Sequence, residues 1–110
     1  MEDKDNNTVT ILWDVLTELS LMDGKSLTES GLKTSEEVGE MAQAILSSQN
    51  TSGTGYKKKT FADVREEAVD AIICSLSVFI KANGTSDQFK ELMNEKCHKW
   101  ETVCRENHVR

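Results

Sequence analysis

Not one of the 110 residues is proline, and that absence constrains the fold more than any residue present. Proline inside a helix removes a backbone donor and clashes with the preceding turn, so a proline-free chain is free to form long helices. Aromatic residues make up only 5% and β-branched runs are short, which points the same way. The expected fold is all-α, one domain spanning residues 1–110. A chain this short buries a modest share of its surface, so a homodimer or homotetramer is expected to add stability.

Apolar spacing divides the chain into four helices. The first starts near Thr8 and carries Ile11, Leu12, Val15, Leu16 and Leu19 before Asp23-Gly24 ends it; the polar residues 1–7 are expected to fray. The second runs from about Glu29 or Ser35 to Ser48, with Val38, Met41, Ala42, Ile45 and Leu46 as its stripe. A polar loop over 47–55 follows. Thr60 or Asp63 caps a third helix that reaches about Ala82 and closes on Asn83-Gly84. Thr85 or Ser86 caps a fourth, with Phe89, Leu92, Met93, Cys97, Trp100 and Val103 on one side.

At 100° per residue, the third helix is apolar around almost its whole circumference; Glu66, Glu67, Asp70 and Ser77 fill the remaining sector. Such a helix belongs in the interior of a bundle or oligomer. Its carboxylates then need a partner, and a cation serves several at once.

The second helix supplies more acids. In Glu36-Glu37-Val38-Gly39-Glu40, Glu40 shares a face with both other glutamates, as Asp70 does with Glu67. Like charges at this spacing repel, and a hard divalent cation such as magnesium turns the repulsion into coordination. Taken alone, Glu-Glu-x-x-Glu is an ordinary solvated helix face. The second pair, set in an apolar helix, tips the balance toward a metal site, an arrangement that helical bundles commonly build.

The paired pattern, Glu36-Glu37-x-x-Glu40, a 26-residue gap from Met41 to Glu66, then Glu67-x-x-Asp70, resembles the MazG-like family of all-α nucleotide pyrophosphohydrolases. Val38-Gly39 is also family-like, the glycine being expected to let a neighbouring helix approach. The resemblance covers roughly residues 10–105. It implies a four-helix-bundle-like fold and hydrolysis of (deoxy)nucleoside triphosphates to the monophosphate and pyrophosphate. It also implies that Glu37, Glu40, Glu67 and Asp70 bind Mg2+, with Mn2+ as a substitute. Glu36 would orient or deprotonate the attacking water or hold a further metal ion, and Lys96 would contact the triphosphate. Two positions depart from the family. Trp100 stands where many members have asparagine, and Cys74 where an aromatic often follows the second motif.

Other residues bear on substrate binding. Lys57, in Gly53-Thr54-Gly55-Tyr56-Lys57-Lys58-Lys59, either belongs to a flap over the phosphates or to a solvated linker; the segment lacks the Walker spacing. Lys33 is either a phosphate contact or an intrahelical partner of Glu36 or Glu37. Trp13 and Trp100 either stack on a base or pack in a core or interface. Cys97, His98, Cys104 and His108 match no common zinc spacing.

The net charge of -6 argues against polymeric nucleic acid as a partner, which needs a basic face. No segment reads as a signal peptide or membrane span. The odd count of three cysteines fits reduced thiols in a cytoplasmic protein, and the resemblance implies a bacterial or phage origin. Two other readings stay open: phosphoribosyl-ATP hydrolysis, and a non-enzymatic helical adaptor whose acidic face binds a basic partner.

Overall fold

A computed structural model of the chain describes residues 2–49 and 58–109, with side chains over 12–49 and 58–108. The described residues form four α-helices and no strand: α1 (Glu2–Met22), α2 (Leu27–Ser48), α3 (Phe61–Lys81) and α4 (Ser86–Val109). The all-α expectation holds. Helix α1 runs back to Glu2 instead of starting at Thr8, since nothing in Asp3 to Asn7 breaks a helix and acidic residues suit an N-terminus.

Capping chemistry sets the other starts. Ser26 accepts from the Glu29 N–H while the Glu29 carboxylate accepts from the Ser26 N–H, so α2 begins at Leu27, earlier than its apolar stripe. Thr60 and Asp63 repeat this box for α3. Thr85 and Gln88 repeat it for α4. Helix α3 ends in a Schellman turn: the Asn83 N–H donates to Ile80 O and the Gly84 N–H to Phe79 O. Asn83 takes the left-handed conformation, with φ 66°.

Helices α2 and α3 form an antiparallel hairpin. Three ties mark its length: Lys81 to Ser30 at one end, Glu37 beside Glu67 in the middle, and Lys59 to Ser47 at the other. The small side chains of Ala44 and Ala71, both buried, let the helices lie close. Gly39 does not: a methyl group added there would meet nothing within 4 Å. At the open end, the Lys81 ammonium donates to Ser30 Oγ at 2.8 Å and to Lys25 O at 2.9 Å, and pairs with Asp23. That junction locks the α1–α2 turn onto the end of α3.

Helix α1 packs on α3, and Trp13, Phe79 and Phe89 draw α1, α3 and the first turns of α4 into one aromatic cluster with ring centroids 5.3–6.1 Å apart. Beyond that anchor α4 leaves the body, and every side chain from Glu91 to His108 is exposed. The described helices therefore do not close a four-helix bundle within one chain. Nor is α3 covered all round: Val69, Ile72 and Ile73 are exposed, Ile72 by 57%.

Candidate metal centre

Glu37 and Glu40 reach the centre from α2, Glu67 and Asp70 from α3, because the antiparallel register sets the middle of one helix against the first half of the other. Two overlapping triads result. Glu37, Glu67 and Asp70 each bring a carboxylate oxygen within 4.8 Å of the others, and Glu36, Glu37 and Glu40 do the same. Glu37 belongs to both and is the most enclosed, only 8% exposed. Glu36 and Glu40 are exposed and form the rim.

Glu67 shows what bringing these carboxylates together costs. Its Oε2 is buried and has no hydrogen-bond partner. Burial, and then the charges of Glu40, Asp70 and Glu37, push its carboxyl above the ordinary 4.5. The donor set suits magnesium, which takes hard oxygens.

Lys33 lies at the edge of the cluster. Its ammonium is 3.2 Å from Glu37 and 3.4 Å from Glu36, so it is the intrahelical partner of both, and Glu37 first and Glu36 second hold its own proton more firmly than usual. Lys33 also lines a cavity of about 220 Å3 together with Leu16, Leu19, Asp23, Ile73 and Cys74. The spacing of the sequence did not disclose this cavity, because its walls come from three helices. Cys74 stands one turn beyond Asp70, and burial, then the Glu37 charge, push its thiol up.

The other sequence candidates lie elsewhere. Trp13 sits in the aromatic cluster with Phe79, which is nine residues beyond Asp70 on α3, about 13 Å at 1.5 Å per residue. Its ring packs between helices, the core alternative for this residue. Lys96 and Trp100 are exposed on the projecting part of α4, outside the acidic cluster. Lys57 lies outside the described residues. Cys97, His98, Cys104 and His108 form no converging ligand group; among the described residues the converging groups are the two acidic triads. Cys74, Cys97 and Cys104 are free thiols. No helix among the described residues is long and apolar enough to cross a membrane.

Compared with known protein families, curated proteins and solved structures, the chain matches none.

Proposed function

We propose that this protein is a Mg2+-dependent nucleoside triphosphate pyrophosphohydrolase, releasing the nucleoside monophosphate and pyrophosphate. The observation that carries the reading is Glu67: a carboxylate oxygen buried without a partner, in a triad with Glu37 and Asp70. Three acids brought together, one of them with a buried oxygen that no hydrogen bond satisfies, support a cation as the missing partner. The resemblance of the paired acidic motifs to the MazG-like family supplies the reaction.

Glu37, Glu67 and Asp70 would hold the ion, with Glu40 completing the set from the rim. When bound, magnesium supplies charge neutralisation and polarisation at the phosphates. Glu36, exposed and hydrogen-bonded to Lys33 at 3.4 Å, would orient or deprotonate the attacking water or hold a further metal ion. The cavity beside Lys33 and Cys74 receives the nucleoside, its apolar wall of Leu16, Leu19 and Ile73 facing sugar and base. Assembly into a homodimer or homotetramer belongs to the same reading.

The test is pyrophosphate release from a panel of canonical and modified nucleoside triphosphates, with phosphoribosyl-ATP included, with and without magnesium. Release that requires magnesium and falls at least about 100-fold in Glu37→Gln is expected, the scale of losing a principal electrostatic contribution. Near-wild-type release from Glu37→Gln would overturn the site. No magnesium-dependent thermal shift with a non-hydrolysable triphosphate would favour the adaptor reading.

A further inference from the structure

Helix α4 is the least accounted-for part of the molecule. Eighteen consecutive residues, Glu91 to His108, carry no buried side chain. Yet Phe89, Leu92, Met93, Trp100 and Val103 fall within about 100° of one another at 100° per residue, and beyond Phe89 this stripe is bare, Trp100 by 69%. In proteins most helical stability comes from packing an apolar face of this kind against another surface. The whole chain has the same imbalance. Its radius of gyration is 17.0 Å, against about 13 Å for a compact 110-residue domain. It exposes 8613 Å2, about 2,500 Å2 more than a folded monomer of its mass would. That excess is within what each chain of an obligate homodimer buries.

We propose that a second copy of this chain covers the stripe, the two α4 helices packing antiparallel about a two-fold axis near Lys96 and Cys97. The charges flanking the stripe match in an antiparallel pair. Lys90 and Glu101 lie on one flank of the stripe, Glu95, Lys99 and Glu106 on the other. In an antiparallel pair like flanks meet, so Lys90 of one copy falls opposite Glu101 of the other, and Lys99 opposite Glu95. Each pair then occurs twice by symmetry. The antiparallel register places Met93 against Trp100 and the two Cys97 residues across the axis. Lys96, the one charge within the stripe, falls beside the other copy's Trp100, whose ring accepts an ammonium. This assembly stands independently of what the acidic cluster binds.

Sedimentation equilibrium at micromolar concentration tests it. The expected mass is at least twice 12.3 kDa, and Trp100→Glu should lower it. Lys90→Glu should weaken the dimer at least about tenfold, as like-charge juxtaposition in an interface does. Adding Glu101→Lys should restore it, a rescue that misfolding would not give. Mild oxidation should produce a covalent dimer in the wild type and in Cys104→Ser, and none in Cys97→Ser. A 12.3 kDa species, an oligomer untouched by Trp100→Glu, or failure of the double charge swap to rescue would each overturn the proposal. A monomer whose Trp100 emission shifts blue only on phosphatidylglycerol vesicles would give the stripe to a membrane and overturn it as well.

Discussion

The Lys33 ammonium sits 3.2 Å from a Glu37 carboxylate oxygen, so the most enclosed acid of the cluster has a cation beside it before any metal arrives. Lys33 and a divalent ion held at the proposed site would act on the same charge. Replacing Lys33 with methionine leaves the cluster more negative and should tighten Mg2+ binding about three- to tenfold, as one unit charge near a partly solvated site warrants. Isothermal titration with magnesium alone reads this; weaker binding would show that Lys33 organises the acids instead.

Glu67 makes stability depend on pH in a definite direction. Its folded carboxyl holds a proton more firmly than the unfolded one, whose ordinary value is 4.5. The stabilising contribution of protonation is therefore complete below that value and is lost as pH rises through the raised folded one. With divalent ions removed, Glu67→Gln should melt higher than the wild type at pH 7, and the gap should close toward pH 4. Saturating magnesium should reverse the order at pH 7. A Gln variant that melts lower without metal would show that the carboxylate is satisfied in the fold.

Filling the cavity would separate the proposed nucleoside binding from the proposed metal binding. Cys74→Trp places an indole among Leu16, Leu19 and Ile73. The KM for the triphosphate should rise at least about tenfold, the scale of losing a close-packed apolar subsite, with magnesium affinity unchanged. If KM stays constant, the nucleoside lies elsewhere.

Two glycines should respond in opposite ways to alanine. At Gly84 the new methyl group would run into the Phe79 ring, which is held by Trp13 and Phe89. The expected loss is about 1–3 kcal/mol. Gly39 lies within helix α2 with open space around it, and Gly39→Ala should gain about 0.5–1 kcal/mol from lost unfolded-state freedom. Urea denaturation of both variants checks the pair. A loss at Gly39 would mean that a second copy packs there.

Local chemistry was legible in the sequence. The caps of α3 and α4 and the Asn83-Gly84 stop depend on residues a few positions apart, which is why the sequence narrows them to Thr60 or Asp63 and to Thr85 or Ser86, and the structure takes Thr60 and Thr85. So was the pairing of Glu36 or Glu37 with Glu40, and of Glu67 with Asp70, since i,i+3 and i,i+4 neighbours share a helix face whatever the fold. Ser26–Glu29 follows the same rule, but it lies ahead of the apolar stripe that marks α2 in the sequence.

Tertiary structure decided what adjacency cannot. Which acids converge depends on the antiparallel register of α2 and α3, fixed by Ala44, Ala71 and the Lys81–Ser30 tie at long range, and that register makes Glu37 the shared member of both triads. The same packing set Trp13 among aromatic rings, opened a cavity bounded by three helices and left Gly39 in open space. It also sent α4 away from the body. Periodicity gives each helix an apolar face, but a face does not name the surface that covers it.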